Sequence, residues 1–150
     1  GDGNNMAHSL MIGGALSGME VRICAPAAYA PNPQVVHEAQ AIAKETGGNI
    51  IVMTDPKEAA SGADVVYTDV FASMGQEEEA TMRLQAFEGY QVNDNIMNQA
   101  NDEAIFLHCL PAHRGEEVTA DVIDGKQSVI FDQAENRLHA QKALLVTLLG

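Results

Sequence analysis

The segment from Phe106 to Val118, FLHCLPAHRGEEV, places a thiol beside an imidazole at the end of an apolar run. Three kinds of chemistry fit these residue types. Cys109 could be a nucleophile with a histidine as its base. The side chains of His108, Cys109 and His113 could bind a metal. The thiol and nearby backbone carbonyls could instead receive an amine, and an ordinary buried cysteine is the structural alternative to all three.

Each chemical interpretation of this segment has a different weakness. His108 and Cys109 are neighbours in a predicted strand, so their side chains point to opposite faces. His113 could reach back to the thiol, but the sequence shows no third group that would orient it. The metal interpretation lacks a fourth ligand and the usual spacing. Pro111 interrupts strand pairing and leaves carbonyls free to accept hydrogen bonds from an amine. The residues alone leave the choice open.

A second polar cluster, TDVFASMGQEEE, follows another apolar run. Asp69 could pair with an ammonium, Ser73 could donate a hydrogen bond, and the N–H groups near Gly75 could hold an anionic oxygen. Together these groups match the two charges of an α-amino acid. The alternative is a loop before a helix, whose acidic residues interact with the helix dipole. The absence of lysine and arginine between Asp69 and Met82 favours a cationic over a dianionic substrate.

Two further clusters lie near the ends of the chain. In GDGNNM, a dinucleotide fingerprint would need glycine where Met6 stands. A tight turn in which Asn4 or Asn5 caps the following helix is the simpler interpretation, although the same helix start suits a carboxylate. In DQAENRLHAQKA, Arg137 lies near the start of the last predicted helix, where a cation is electrostatically unfavourable. This arginine could therefore bind a phosphate or a carbonyl oxygen.

Alternating strands and helices must position these clusters. The predicted strands are 20–25, 49–54, 64–69, AIFLHCL (104–110) and SVIFD (128–132). The predicted helices are 5–16, PNPQVVHEAQAIAKETGG (31–48), PKEAASG (56–62) with Asp55 as its cap, 77–87, VNDNIMNQAN (92–101), TADVIDG (119–125) and AENRLHAQKALLVTLL (134–149). The pattern predicts a doubly wound, mostly parallel open sheet flanked by helices, a Rossmann-like three-layer α/β/α fold. Ligands bind such sheets beyond the carboxyl ends of the strands, where all four clusters fall.

Length and composition limit the class of protein. The 150 residues fit one domain, and the net charge of −13 argues against nucleic acid or an anionic membrane as the main partner. Two cysteines are too few for a disulfide framework, so we expect a reduced, cytoplasmic setting. No apolar stretch is long enough to span a bilayer. Because GDGNN is a turn that normally follows a strand, we expect this chain to be a piece of a longer protein.

Four segments, GDGNNMAHSLM, TDVFASMGQEEE, FLHCLPAHRGEEV and FDQAENRLHAQKALLV, together resemble the ornithine carbamoyltransferase family over essentially the whole chain. The resemblance implies that residues 1–150 are the C-terminal, ornithine-binding domain. The N-terminal carbamoyl-phosphate-binding domain and the first sheet strand would then be absent from this chain. It implies a homotrimeric enzyme of arginine metabolism, with arginine biosynthesis and arginine breakdown both open. That enzyme would convert L-ornithine and carbamoyl phosphate to L-citrulline and phosphate, without metal or organic cofactor. The chain alone would be inactive.

The resemblance also implies which residues bind the α-amino acid end of ornithine. Asn5 would bind the α-carboxylate, together with the backbone N–H of Met74. Asp69 and Ser73 would bind the α-ammonium.

At the reacting end, the resemblance implies that Cys109 and the carbonyl of Leu110 hold the δ-amine, and that Arg137 binds carbamoyl phosphate. An alkylamine is protonated at neutral pH, so it must lose a proton before it attacks. Burial against a thiol and neutral carbonyls disfavours the ammonium form. The protein would therefore act by positioning and desolvation, and we expect that Cys109 is not a covalent nucleophile.

Related activities fit these residues less well. Members of the family that act on aspartate have proline where Cys109 stands, and their dianionic substrate requires basic residues that SMGQEEE lacks. Putrescine has no carboxylate, and N-acetylornithine has no free ammonium for Asp69 and Ser73. A non-catalytic ligand-binding or dinucleotide-binding α/β module is the alternative from another class, although Met6 disfavours a nucleotide.

Overall fold

A computed structural model describes residues 1–72 and 79–150. Its strands are β1 (Glu20–Cys24), β2 (Asn49–Met53), β3 (Val65–Thr68) and β4 (Ile105–His108). Its helices are α1 (Asn5–Leu16), α2 (Pro33–Thr46), α3 (Pro56–Ala60), α4 (Ala80–Ala86), α5 (Asp94–Met97), α6 (Ala120–Ile123) and α7 (Ile130–Leu149). Among the described residues, no helix combines the length and the apolar character needed to cross a membrane.

The four strands pair in parallel as two ladders, β1 with β2 and β3 with β4. Glu20 lies opposite Asn49 in the first ladder, and Thr68 lies opposite His108 in the second. Parallel neighbours require crossover connections, which the intervening helices supply. The prediction of a parallel, Rossmann-like α/β fold is confirmed.

Each ladder has its own apolar cluster. Met11 of α1 packs with Ile23 and Ile50 of the first ladder. In the second, Phe106 of β4 packs with the fully buried Val118 and with residues of α5 and α6. These two clusters fix the strands whose ends carry the polar groups described below.

Local signals placed most helix starts correctly. The predicted cap at Asp55 is confirmed, because its carboxylate accepts hydrogen bonds from the N–H groups of Lys57 and Glu58. The helix predicted at 77–87 is observed over Ala80–Ala86, and its first two predicted residues lie outside the described residues. These differences are within the ordinary uncertainty of helix ends.

The predicted strand SVIFD is wrong. Ser128 makes a single parallel bridge with Phe106, and α7 begins at Ile130, four residues before the predicted start at Ala134. The N–H of Phe106 donates to Gln127, and the carbonyl of Phe106 accepts from Val129. Pairing stops there because the following residues continue without a break into a good helix-forming sequence, whose own hydrogen bonds replace a longer ladder.

Candidate functional site

The carboxyl ends of β3 and β4 lie side by side, because Thr68 is paired with His108. The next residues, Asp69 and Cys109, therefore meet at the same edge of the sheet. Cys109 Sγ donates a hydrogen bond to Asp69 Oδ1 at 3.0 Å, and the N–H of Val70 donates to the same oxygen at 2.7 Å. Both side chains are half-buried. A carboxylate and a thiol from two different predicted clusters thus form one polar group.

The Cys109 thiol is held in its neutral form. Burial, with the Asp69 carboxylate as acceptor and as a nearby negative charge, raises the pKa of Cys109 to about 12. A nucleophilic thiol needs the opposite, a lowered pKa or an adjacent base. His113 directs Nδ1 at Glu117 Oε2, 3.7 Å away, and both ring nitrogens of His108 are hydrogen-bonded elsewhere. The structure does not form the nucleophile–base pair, and Cys109 is a neutral hydrogen-bonding group.

Alkylation tests this electrostatic assignment. At pH 7, iodoacetamide should modify Cys109 about three orders of magnitude more slowly than a free cysteine of pKa about 8.5, because only the thiolate reacts. The rate should keep rising with pH up to about 10 without levelling off, because the raised pKa keeps the thiol protonated. Asp69→Asn should accelerate the reaction, since it removes the opposing charge.

Cys24 is an internal control for the alkylation experiment, because burial raises its pKa to about 11. Peptide mass spectrometry should show that Cys24, like Cys109, reacts at pH 7 far more slowly than a free cysteine. A rate for Cys109 equal to that of a free cysteine would contradict the assignment.

Gln133, on the first turn of α7, joins the ends of the second ladder and was not predicted from the sequence. Its Oε1 accepts from the backbone N–H of His108 at 3.0 Å, and its Nε2 donates to the hydroxyl of Tyr67 at 3.3 Å. Burial and the neighbouring Cys109 raise the pKa of Tyr67 above its ordinary value. A glutamine inside a polar helical stretch carries no sequence signal for this role.

Leu110 has an unusual backbone conformation, with φ of 57°, and precedes a cis bond to Pro111. Its N–H donates to His108 Nδ1 at 2.8 Å. Its carbonyl oxygen accepts no hydrogen bond from any of the residues described here. The sequence-based expectation that Pro111 leaves an acceptor exposed next to the thiol agrees with this arrangement.

Asn5 is the first residue of α1 and is exposed. Asn4 occupies the cap position, but its side chain bonds to Asp2 and makes no cap hydrogen bond, so the predicted asparagine cap is not formed. Gly3 has no room for a side chain, because a Cβ would collide with the backbone of Pro31. Close packing of two loops therefore explains this glycine without a bound nucleotide.

A buried ion pair anchors the loop that contains Gly3 and immediately precedes α1. Arg83 of α4 donates to Asp2 Oδ2 at 2.7 Å, and the two side chains are 7% and 9% exposed. Arg83 also lies over the ring of Tyr29, 4.9 Å from its centroid, and donates to the carbonyl of Phe71. Asp2 belongs to the polar GDGNNM segment, whereas nothing in the sequence marks Arg83 as its partner. The pair joins the loop before α1 to the helix after the Ser73 segment.

The structure places only one of three further predicted site residues. Ser73 and Met74 lie outside the described residues. Arg137 is exposed on α7. Because the helix begins at Ile130, Arg137 lies in its second turn, so the argument from a cation at a helix start is wrong. It lies four residues after Gln133, which places both on one face of the helix.

The three side chains considered as metal ligands lie at the end of β4 and in the turn after it. The set of His108, Cys109 and His113 does not come together, because the ring nitrogens of His108 contact Leu110 and Glu117. Among the described residues, His113, Glu116 and Glu117 place one ligand atom each within 4.8 Å of one another. Two of these three side chains are exposed acidic or basic groups of one turn, and we assign no ion to them.

The chain matches the family model described as aspartate/ornithine carbamoyltransferase, Asp/Orn binding domain, over residues 1–148. It is 60% identical, over 150 residues, to an ornithine carbamoyltransferase of Symbiobacterium thermophilum, covering 100% of this chain and 48% of that protein. The chain belongs to the aspartate/ornithine carbamoyltransferase family.

Solved structures give the same family. The ornithine carbamoyltransferase of Gloeobacter violaceus superimposes with a TM-score of 0.91 at 51% identity, over 100% of this chain and 50% of that one. The anabolic ornithine carbamoyltransferase of Campylobacter jejuni superimposes with a TM-score of 0.94 at 42% identity, over 99% and 49%. The chain thus spans about half the length of the relatives that it matches.

Proposed function

We propose that residues 1–150 are the ornithine-binding half of an ornithine carbamoyltransferase of arginine biosynthesis. A second half would bind carbamoyl phosphate, and the complete enzyme would work as a homotrimer in the cytoplasm. The observation that carries the proposal is the contact between Asp69 and Cys109 at the paired ends of β3 and β4. The family membership of the chain and the length of its relatives support the division into halves.

The two oxygens of Asp69 support a division of labour. Oδ1 is already bonded to the Cys109 thiol and to the Val70 N–H. None of the described residues donates a hydrogen bond to Oδ2, and this oxygen would bind the α-ammonium of ornithine. Ser73, Met74 and Asn5 would complete the site for the α-ammonium and the α-carboxylate.

The reacting δ-amine would lie against the Cys109 sulfur and the Leu110 carbonyl. Cys109 donates its proton to Asp69, so its sulfur lone pairs face the substrate, and both groups accept N–H bonds without adding charge. A buried, neutral environment favours the neutral amine, whose lone pair forms the bond to the carbamoyl carbon. The bond from that carbon to the phosphate oxygen breaks, phosphate leaves with the electron pair, and the amine nitrogen loses a proton. Arg137 would contact carbamoyl phosphate.

Chemically related amines, putrescine and N-acetylornithine, are the alternative substrates. Putrescine would leave the carboxylate-binding groups unused, and N-acetylornithine would leave Asp69 without its ammonium. Leaving a buried charged group unpaired reduces affinity strongly. A non-catalytic ligand-binding module is the second alternative, and it would bind an amino acid without turnover.

The test compares the protein that carries both halves with this chain alone. A colorimetric citrulline assay should show turnover of ornithine by the complete protein and none by residues 1–150, which lack the second half of the site. Putrescine and N-acetylornithine should give kcat/KM at least about 10²-fold lower, because each leaves a charged subsite empty. Turnover by the isolated chain at the rate of the complete protein, or a preference for putrescine, would overturn the proposal.

A further inference from the structure

Behind the Cys109 strand end lies a buried histidine–glutamate pair that the proposed chemistry does not use. His108 is 1% exposed and Glu117 is 0% exposed. His108 Nε2 lies 3.1 Å from Glu117 Oε1. Burial alone would raise the pKa of Glu117, but hydrogen bonds from His108 and from the His113 N–H hold it below the usual value. A carboxylate kept charged at this depth is costly, and one of its oxygens, Oε2, has no hydrogen-bond partner among the residues that the structure describes.

The contacts of His108 fix its tautomer. Nδ1 accepts the N–H of Leu110 at 2.8 Å, so this nitrogen carries no proton. The ring proton is therefore on Nε2 and is donated to Glu117. The imidazole therefore links the two groups: the carboxylate of Glu117 holds the ring in place, and the ring holds the backbone N–H of Leu110.

Glu117 also holds the other end of the same turn. Its Oε1 accepts the N–H of His113 at 2.6 Å. The turn between His108 and His113 contains the thiol of Cys109 and the carbonyl of Leu110. One buried carboxylate thus fixes both ends of the segment that would receive the amine.

The turn needs such a restraint. Leu110 has a φ of 57°, and the left-handed region is sterically unfavourable for an L-residue with a Cβ. The hydrogen bond from its N–H to His108 stabilises this conformation, which directs the Leu110 carbonyl. Without it, the backbone would relax and move both amine-accepting groups.

We propose that Glu117, acting through His108 and through the N–H of His113, is a positioning residue for the amine-accepting turn at Cys109 and Leu110. The inference rests on the proposed function, because the amine is the substrate group that this turn would hold. Glu117 itself does not touch the substrate.

Steady-state kinetics of the complete protein test the proposal. Glu117→Ala should lower kcat/KM for ornithine about 10²-fold, because a displacement of about 1 Å at the reacting centre has this effect. The KM for carbamoyl phosphate should stay within about twofold of the value for the unmodified protein, since other residues would bind that substrate. Glu117→Gln keeps an acceptor oxygen at the Oε1 position and should recover most of the activity.

Val118→Ala is the matched control. Val118 is the next residue and equally buried, but its side chain packs in the apolar cluster around Phe106. This variant should lose stability without a selective change in the ornithine parameters. If Glu117→Ala and Val118→Ala lowered kcat/KM for ornithine equally, the proposal would be overturned. An equal rise in the KM for ornithine and for carbamoyl phosphate in Glu117→Ala would overturn it too.

A measurement on the unmodified protein covers the case in which Glu117→Ala does not fold. Nitrogen-15 NMR of labelled histidine should show His108 as the neutral tautomer protonated at Nε2. A proton on Nδ1 at neutral pH would show that His108 does not accept the N–H of Leu110, and would overturn the proposed positioning role of Glu117 whatever the substrate. Absence of citrulline formation by the complete unmodified protein would instead overturn the proposed function. The tautomer of His108 would still decide whether Glu117 positions the turn through His108.

Discussion

Replacing Asp69 by asparagine in the complete protein should lower kcat/KM for ornithine by about 10³-fold. The asparagine keeps the shape of the side chain but removes the charge that would pair with the α-ammonium. Breaking one half of a desolvated charge pair costs about 4 kcal/mol, which corresponds to this factor. The substitution also replaces the carboxylate acceptor of the Cys109 thiol with a weaker one.

The control for this measurement is Asp124→Asn. Asp124 pairs with Arg114 on the surface, where both side chains are 52% exposed, so its loss should leave citrulline formation unchanged. A kcat/KM for Asp69→Asn within about tenfold of the unmodified value would show that the carboxylate does not bind the ammonium. In that case the Asp69–Cys109 contact would have only a structural role.

Replacing Arg83 by leucine should lower the free energy of unfolding by about 3 kcal/mol. The change leaves Asp2 as an unpaired charge in a site where its side chain is 9% exposed, and breaking a buried ion pair costs about this much. It also removes the contact of the guanidinium with the ring of Tyr29. Urea denaturation followed by circular dichroism measures the change.

Arg114→Leu is the comparison for Arg83→Leu, because it breaks an exposed pair that makes two hydrogen bonds, to Asp124. It should cost a small fraction of the change at Arg83. If Arg83→Leu and Arg114→Leu lowered the free energy of unfolding equally, the Asp2–Arg83 pair would not stabilise the loop more than an exposed pair does. Loss of the pair should also weaken ornithine binding, since Asn5 lies three residues after Asp2.

The sequence predicted the features that depend on local pattern. Alternating apolar runs and helix signals predicted parallel strands, and the rule for strand ends placed Asp69 and Cys109 at one edge of the sheet. The cap at Asp55 follows from the side-chain preference of a single residue.

Features that depend on distant contacts, on an unusual backbone conformation or on an ambiguous short segment could not be predicted in the same way. Arg83 and Asp2 are 81 residues apart, and nothing in the helix around Arg83 distinguishes it from an exposed arginine. The role of His108 depends on the backbone of Leu110, whose φ no pattern indicates. The start of α7 was misplaced because an apolar SVIF segment fits a strand and a helix equally well over so few residues.

The helix α7 is buried only at its first residue, close to the candidate site, and its far end is exposed. It is 20 residues long, which corresponds to about 30 Å. Ile130 is its buried residue, while Leu144, Leu148 and Leu149 near its far end are more than half exposed. Gln133, near the fixed end, bonds to the backbone of β4 and to Tyr67 of β3. A tilt of α7 of a few degrees about its buried first turn would move its far end by about 2 Å and would rotate the Gln133 amide by only those few degrees.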